Sequence, residues 1–220
     1  MTNKTHIVGE YETASDLTIK IKMPSTKYLD KFIKRWRSAV DLLLTGYFPD
    51  AKEITESMGM LYFASKFIDF NETNVTHYVL GDGVYPRTAS MSAFSTKWKN
   101  VSIDPVMKIK TPEIKNHPLN GDIKLIKNVR TIKCGCEQYK FDEQDSGQTA
   151  VISVVHCHAS TEQLVLFIKE IYKHFERIVL INMPCCVKHD LESIYGPPIH
   201  QLYDMNVFSP HRMIYGYSIK

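Results

Sequence analysis

The apolar residues of this chain follow two spacings that alternate along its length. Runs of largely apolar residues are typical of strands that are buried on both faces of a sheet. The chain carries such runs at 75–80, 100–103, 150–155 and 177–182. Apolar residues three or four positions apart are typical of helices, and they occupy the segments 51–68, 87–96 and 161–175. The alternation predicts an α/β fold of three layers, in which helices cover both faces of a mostly parallel sheet.

The N-terminal part of the chain carries a strand and a helix that precede this pattern. Residues 17–22 alternate between apolar and polar side chains, which is typical of a short edge strand. Ser25 is placed to cap a single helix that would continue to Gly46, a residue type that commonly ends helices. We therefore expect an N-terminal extension over residues 1–48 and a main domain over residues 49–220.

The C-terminal part of the chain predicts an antiparallel addition to the sheet. Residues 203–208 and 212–217 read as strands, and residues 209–211 join them with a connection short enough for a hairpin. Because strands joined in this way run in opposite directions, they predict an antiparallel strand at one end of the sheet. Between the central strands, the segment 123–132 predicts one further strand, and the stretch 107–121, which contains prolines and many cations, predicts a loop.

Composition limits the classes of protein to which the chain can belong. Of its 220 residues, 44% are hydrophobic and 23% are charged, which is typical of globular proteins and excludes disordered, collagen-like and coiled-coil chains. The net charge of +3 is too small to indicate a nucleic-acid-binding protein by itself. No apolar run approaches the roughly 18 residues of a membrane span, and the polar start of the chain does not resemble a signal peptide. Since all five cysteines follow residue 133, we expect a soluble, cytoplasmic protein with reduced thiols.

Glycine and charged residues follow the first two predicted strands, and open parallel sheets bind their ligands at such strand ends. Gly81, Asp82 and Gly83 come directly after the first strand, and the two glycines allow a tight turn and the close approach of a ligand. Asp104 follows the second strand about 20 residues later, a spacing at which an acidic side chain binds a ribose. Arg87, at the start of the next helix, suits a carboxylate or a phosphate. Alternatively, the glycines form an ordinary turn and Arg87 pairs with a surface acid.

These features resemble the class I S-adenosylmethionine-dependent methyltransferases. The resembling parts are the strand that leads into Gly81–Gly83, the second strand that ends at Asp104, and the C-terminal strand pair, which is similar to the antiparallel last strands of that family. The resemblance covers about residues 50–220. It implies a Rossmann-like fold and S-adenosylmethionine as the cofactor, with its methionine part at Gly81–Gly83, its ribose at Asp104 and Arg87 beside them.

Two loops after the later strands carry candidate catalytic residues. His156 and His158 come directly after the third apolar run, at a position where the resembling family often meets its substrate. A histidine there suits a general base, because its ordinary pKa lies near neutrality. Asn182 ends the next strand, and the loop from Asn182 to Cys186 would line the substrate pocket, with Cys185 in contact with the substrate.

The predicted first helix bears a row of cations. Lys31, Lys34 and Arg35 lie on one face together with Lys27 and Arg37. Such a row is most often a solvated surface, and it otherwise suits an acidic partner, of which nucleic acid is the natural one. We expect Lys31, Lys34 and Arg35 to contact a nucleic-acid substrate, with a protein partner as the alternative.

Three hypotheses of function follow from these residues. The first is an S-adenosylmethionine-binding methyltransferase, with His156, His158 and Asn182 as catalytic residues and without a metal. The second is a Rossmann-like binding module that has lost methyl transfer, because Leu80 stands before Gly81 where the family has an acidic residue. The third is a metal-dependent hydrolase or a metal-stabilised fold, since thiolates and imidazoles are the ligands of zinc. The candidate ligands follow the late strands, at His156, His158, Cys185, Cys186 and His189, with Cys134 and Cys136 as further candidates.

Overall fold

The computed structural model of the protein describes residues 7–12, 18–22, 25–108 and 128–220. The strands are β1 (Ile7–Glu12), β2 (Thr18–Lys22), β3 (Val75–Leu80), β4 (Lys99–Ile103), β5 (Val129–Ile132), β6 (Thr149–Val155), β7 (Arg177–Met183), β8 (His200–Tyr203) and β9 (Met213–Ser218). The helices are α1 (Lys27–Lys34), α2 (Trp36–Leu44), α3 (Ala51–Ala64), α4 (Arg87–Ser95), α5 (Thr161–Tyr172) and α6 (Glu192–Tyr195). Within these segments, no helix combines the length and the apolar character that crossing a lipid bilayer requires.

Seven strands of the described chain form one sheet, in the order β5-β4-β3-β6-β7-β9-β8. The five strands from β5 to β7 pair in parallel, whereas β9 lies antiparallel between β7 and β8. β1 and β2 form a separate antiparallel pair. The predicted α/β, Rossmann-like fold is confirmed, and the antiparallel strand near the edge of the sheet is the one that the resemblance to class I methyltransferases implies.

Helices cover both faces of the sheet, as the three-layer prediction requires. β3 and β6 are buried along their whole length, because each has parallel neighbours on both sides and a packed layer above and below. On one face α3 and α4 pack together, and Met58, Phe63 and Trp98 belong to this core. On the other face α5 packs against the segment 134–141, and Phe167 belongs to that core.

A buried histidine joins the three central strands. His77 lies in the middle of β3, and its Nδ1 is 3.0 Å from Ser92 Oγ and 3.1 Å from Asn100 Oδ1. Its Nε2 is 2.8 Å from Ser153 Oγ, on the neighbouring strand β6. Burial lowers the pKa of His77 to about 4, so the ring is neutral at neutral pH. This network satisfies the polar atoms inside the sheet and gives His77 a structural role.

Capping side chains define where two of the covering helices begin. Asp50 accepts a hydrogen bond from the backbone N–H of Glu53 (3.0 Å) at the start of α3. At the start of α5, Ser160 Oγ accepts from the N–H of Gln163 (3.3 Å), and Gln163 Oε1 accepts from the N–H of Ser160 (2.8 Å). Both caps occupy N–H groups that the helix itself leaves unpaired.

The predicted single helix from Ser25 to Gly46 is two helices in the structure. The chain breaks at Arg35, whose guanidinium donates to Ser95 Oγ of α4 (2.8 Å), so a contact distant in sequence overrides the helical spacing. Ser25 Oγ accepts from the N–H of Lys27 (3.3 Å). Tyr28 of α1 is buried in the core shared with α3, and its hydroxyl donates to Asp204.

These contacts bear on the proposed extension over residues 1–48, whose boundary stays a prediction. Because α1 and α2 contribute to the main core, removal of residues 1–48 would expose apolar surface. The structure includes the predicted N-terminal strand as β2 and the strand predicted at 123–132 as β5. The predicted loop at 107–121 lies outside the described residues after Lys108.

The C-terminal strand pair is antiparallel as predicted, but its first strand lies earlier than predicted. β8 ends at Tyr203, whereas the sequence places that strand at 203–208. The physical reason is Asp204, which accepts from both the backbone N–H (2.9 Å) and the side-chain amide (2.7 Å) of Asn206. This local bonding forms a turn that competes with the extended conformation of a strand.

The turn after β3 touches the end of β6 at Gly81. The backbone φ of Gly81 is +85°, in the left-handed region that favours glycine. A Cβ atom at this position would lie 2.6 Å from the carbonyl oxygen of Val155 and 2.8 Å from Cα of Cys157. Both the dihedral angle and the contact therefore require glycine here.

We predict that Gly81→Ala lowers the free energy of unfolding by about 3 kcal/mol or more, because it adds a backbone clash to an unfavourable φ. Gly46→Ala is the matched control, since Gly46 has a similar φ of +69° and no described atom lies within 4 Å of its added Cβ. It should cost only about 1 kcal/mol. Urea unfolding measures both, and equal losses would contradict the close contact at Gly81.

Candidate functional site

The site lies where the chain reverses its direction of travel across the sheet. From β3 the chain proceeds to β4 and β5 on one side, and it then crosses to β6 on the other side. The carboxyl ends of β3 and β6 therefore bound a crevice, as at the switch point of other open α/β sheets. Two cavities formed by described residues open there, a larger one of about 770 Å³ and a smaller one of about 280 Å³.

The larger cavity lies above the ends of β3 and β4. Among the predicted cofactor residues, Gly81, Gly83 and Asp104 line it. The segment 133–138 forms its outer wall and residues 156–159 form its inner wall. A cavity of this size is within the range of small-molecule and cofactor sites, about 300–1,000 Å³.

Asp104 joins the two strand ends that bound this cavity. Its Oδ2 accepts from the backbone N–H of Gly83 (2.9 Å), and its Oδ1 accepts from the backbone N–H of Val106 (2.9 Å). The structure thus brings together two residues that the sequence singled out by their spacing. Each carboxylate oxygen can accept a second hydrogen bond, so Asp104 remains able to bind hydroxyl groups in the cavity.

The carboxylate of Asp82, predicted as a cofactor contact, is turned into the protein. It accepts from the backbone N–H groups of Thr88 (2.9 Å) and Ala89 (3.2 Å) and from Ser102 Oγ (2.9 Å). Burial raises the pKa of Asp82 above its ordinary value, and the hydrogen bonds from Thr88 and Ala89 oppose that shift. Asp82 therefore holds the N-terminus of α4 in place beside the site.

Arg87 borders the smaller cavity and is already paired. Its Nη1 lies 3.1 Å from Glu53 Oε2, and its Nε donates to the backbone carbonyl of Tyr47 (2.8 Å). The pairing with an acid is the alternative that the sequence left open for this residue. Glu53 balances the charge of Arg87. Because Glu53 belongs to α3 and Arg87 to α4, the pair joins these two helices at the rim of the smaller cavity.

His156 lies between the two cavities and lines both. Its Nε2 is 2.8 Å from Glu56 Oε1, and its backbone φ of +47° is in the left-handed region that residues other than glycine rarely adopt. Since a carboxylate only accepts hydrogen bonds, Nε2 is the donor to Glu56, and in the neutral form of the ring Nδ1 is the acceptor atom. Nδ1 is buried and has no hydrogen-bond partner among the described residues. The pair has the arrangement of a base oriented by a carboxylate.

Glu56 is a buried member of the site that the sequence prediction does not include. Its side chain is 3% exposed, and Lys52 Nζ lies 3.2 Å from its Oε1. Burial alone would raise the pKa of Glu56, but the hydrogen bond and charge of His156 and the charge of Lys52 lower it below its ordinary value. The sequence gives little signal for this residue, because Glu56 stands between the polar residues Thr55 and Ser57, and only the structure shows that all three are buried.

Of the remaining predicted catalytic and substrate residues, two lie at the cavities and one does not. His158 lines both cavities, and Cys185 lines the smaller one, which also receives His211 from the loop before β9. Asn182 is 2% exposed and lines neither of the two described cavities. Its Oδ1 lies 3.4 Å from Nδ1 of His189, in the loop after β7. Its side chain therefore supports the loop that carries Cys185.

The basic residues of α1 lie apart from both of these cavities. Lys31 Nζ is 4.1 Å from the centre of the Tyr62 ring, and Arg35 donates to Ser95 as described above. Lys34 is exposed. Two of the three predicted substrate-binding cations thus have contacts within the protein.

Comparison with known proteins gives similarity in structure and none in sequence. No protein-family model and no curated protein matches the chain. The chain is similar to phosphoethanolamine N-methyltransferase 1 of Haemonchus contortus (TM-score 0.49, 10% identity), over 88% of this chain and 49% of that one. It is also similar to magnesium protoporphyrin IX methyltransferase of Synechocystis PCC 6803 (TM-score 0.45, 12% identity), over 88% of this chain and 95% of that one.

A third similar structure is TrmK of M. capricolum, in complex with S-adenosylhomocysteine (TM-score 0.46, 10% identity), over 73% of this chain and 66% of that one. The chain thus spans about half the length of the Haemonchus contortus enzyme and nearly the full length of the Synechocystis enzyme. At these identities and scores the similarities add nothing to the fold assignment, which rests on the strand order of the sheet itself.

The lowered pKa of Glu56 makes a prediction about stability. Because the carboxylate is favoured in the folded protein, its contribution is fully present above the ordinary glutamate pKa of 4.5 and is lost as the pH falls through the lower, folded value. Glu56→Gln should lower the free energy of unfolding at pH 7 by about 2 kcal/mol. At about pH 3.5 the difference in the free energy of unfolding between this variant and the natural protein should be smaller.

Urea unfolding at the two pH values measures this difference. Glu143→Gln is the control, since Glu143 is exposed and should change the free energy of unfolding by no more than about 0.5 kcal/mol. A loss in Glu56→Gln that does not change with pH would show that Glu56 is not ionised in the folded protein.

Proposed function

We propose that the protein binds S-adenosylmethionine in the larger cavity and transfers its methyl group to an acceptor bound in the smaller cavity. The observation that carries this proposal is the junction of Gly81, Gly83 and Asp104 at the switch point of the sheet. Glycine backbone permits close approach of the methionine part, and the free acceptor capacity of Asp104 suits the two hydroxyls of a ribose.

The charges of the larger cavity fit this cofactor. S-adenosylmethionine carries a sulfonium and an ammonium group against one carboxylate, so its net charge is positive. Among the described residues, the charged ones that line the cavity are Asp104, Glu137 and Lys133, so acids outnumber bases in this part of its wall. Arg87 is neutralised by Glu53, and for that reason we do not assign it to the carboxylate of the cofactor.

His156 is the residue that we assign to proton transfer. The bound cofactor would supply an electrophilic methyl group and leave as the neutral thioether S-adenosylhomocysteine when its bond to that methyl breaks. An acceptor that bonds to the methyl through an N–H or O–H group would then have to lose a proton. His156 lines both cavities, and we assign that proton to Nδ1, its free acceptor atom, which the ring must turn to expose because the atom is buried. Glu56 holds the opposite nitrogen and stabilises the imidazolium that results. The rest of the rate acceleration of methyl transfer comes from orientation of the acceptor toward the methyl group.

For the acceptor we propose nucleic acid, and the support for it is the charge on α1. Lys27 and Lys34 are exposed on this helix, and Lys31 and Arg35 extend the same row of cations. Exposed lysines of this kind bind phosphates and release counterions, so the binding should weaken steeply with salt. A protein partner at the same surface stays the alternative.

One observation favours a second function, a binding module that retains the cofactor site without methyl transfer. Leu80 precedes Gly81, where the resembling family has an acidic residue. Such a protein would bind the cofactor and show no turnover. Cofactor binding together with the absence of transfer to any acceptor pool would support this second function over the first.

We predict that S-adenosylmethionine and S-adenosylhomocysteine both bind in calorimetry, and that Asp104→Asn weakens both by about 10-fold. The reason is that the substitution removes the charge from a hydrogen bond to the ribose, a loss of about 1.5 kcal/mol. Asp41→Asn, a half-buried aspartate on α2 that lines neither described cavity, is the control. No binding at millimolar ligand, or equal affinity of Asp104→Asn, would reject the site.

A second prediction concerns the acceptor. The double variant Lys27→Glu and Lys34→Glu should bind a fluorescent 20-nucleotide RNA at least about 10-fold more weakly at low salt, because two phosphate contacts become repulsive. Tritium transfer from labelled S-adenosylmethionine to total RNA should fall in parallel, whereas Lys169→Glu on α5 should leave both unchanged. Binding and transfer that are the same in all three proteins would reject nucleic acid bound at α1.

A further inference from the structure

Three side chains of the kinds that bind zinc meet at the wall of the smaller cavity. They are His158, in the loop after β6, and Cys185 and Cys186, in the loop after β7. We propose that these three residues form a binding site for a soft divalent metal ion, with zinc as its natural occupant. His158 also lines the larger cavity, but none of the three residues is assigned to the cofactor, so the proposal does not depend on it.

The parallel sheet explains why these residues meet. β6 and β7 pair in register, with Val155 opposite Met183 at their ends. His158 follows Val155 by three residues and Cys185 follows Met183 by two, so both loops leave the sheet at the same edge. The backbone N–H of His156 donates to the carbonyl of Met183 (3.0 Å) and holds the two loops together.

Two of the three distances within the cluster, those made by Cys186, match the edges of a tetrahedral zinc site. Sγ of Cys185 lies 3.7 Å from Sγ of Cys186, which in turn lies 3.6 Å from Nε2 of His158. With zinc bonds of about 2.3 Å to sulfur and about 2.05 Å to nitrogen, a tetrahedron has edges of about 3.8 Å between two sulfurs and about 3.6 Å between sulfur and nitrogen. All three ligand atoms lie within 4.8 Å of one another.

Packing does not explain the cluster. Buried cysteines commonly act as small apolar residues, and Cys136 and Cys157 do so in the core. Cys186 and His158 are exposed and Cys185 is only partly buried, so these thiols gain little from burial. The sulfur–sulfur distance of 3.7 Å is far from the roughly 2.05 Å of a disulfide bond, so the two thiols are free.

The chemistry of the three ligands selects the metal. Thiolate and imidazole ligands favour zinc and related soft ions over magnesium and calcium, which prefer oxygen. Binding deprotonates both thiols and releases two protons, and the two thiolates then balance the charge of the ion. Without metal, the thiol of Cys185 donates to the carbonyl oxygen of His156, 3.5 Å away. The bond to the metal would replace this hydrogen bond.

Three protein ligands leave the fourth position of a tetrahedral ion open, as in catalytic zinc sites. His158 and Cys185 both line the smaller cavity, so an ion held by them would stand at its wall. Its fourth ligand would be water or a donor atom of the molecule bound in that cavity. The ion would thus position or activate the occupant of the smaller cavity from the side opposite α3.

The test uses the full chain, purified without a histidine tag under reducing conditions. Elemental analysis should find about one zinc per chain after gel filtration. Replacement by Co²⁺ should give the thiolate-to-cobalt charge-transfer absorption and the visible bands of a tetrahedral site. Cys186→Ser and His158→Ala should each weaken Co²⁺ binding by at least about 100-fold, because loss of a ligand should exceed the effect of losing an outer-shell partner.

Cys134→Ser is the matched control, since Cys134 is also a partly buried cysteine but lies outside the cluster. It should retain the metal and the Co²⁺ spectrum. Because Cys186 and His158 are exposed, their variants should keep the circular dichroism spectrum of the natural protein. Zinc below a tenth of an equivalent, a Co²⁺ spectrum without thiolate bands, or equal metal loss in Cys134→Ser would overturn the proposal.

Discussion

The close contact between Gly81 and the end of β6 is the constraint on which the site depends. A hydrogen atom fits between this turn and the carbonyl of Val155, whereas a methyl group would clash. The contact brings the ends of β3 and β6 together and leaves one cavity on each side of the junction. The contact also fixes the direction of the two residues that follow. The carboxylate of Asp82 accepts from the N-terminus of α4, and the N–H of Gly83 donates to Asp104. One backbone contact thus orders the wall of the larger cavity and the helix beside it.

His156 forms the boundary between the two cavities, and its position has a cost. A left-handed backbone at a residue other than glycine is unfavourable by about 1–2 kcal/mol, and residues held in such conformations cluster at functional sites. Here the strained conformation places the imidazole against Glu56, a buried acid from a helix on the other side of the crevice. Nδ1, which has no hydrogen-bond partner in the described part of the chain, is a further unfavourable feature that a hydrogen bond to a bound acceptor would relieve. Both features are consistent with a site arranged for a ligand and not for stability alone.

The sequence predicted those parts of the fold and site that depend on local pattern. The buried runs became β3, β4, β6 and β7, and the spacing of Gly83 and Asp104 identified two residues in direct contact. Contacts between segments that no spacing rule connects were not predictable. Glu56 is 100 residues from His156, and the break at Arg35 reflects a partner on α4. The direction of a side chain could not be predicted either. The sequence of a turn shows which residues lie near a site but not where their side chains point, and the carboxylate of Asp82 points into the protein.

A crystal structure of the protein with S-adenosylhomocysteine tests the central claim most directly. We expect electron density for the ligand in the larger cavity, with the ribose hydroxyls within hydrogen-bonding distance of the Asp104 carboxylate. The sulfur should point toward His156, which lines both cavities. Density confined to the smaller cavity, or an empty larger cavity at saturating ligand, would contradict the assignment of this crevice as a cofactor site.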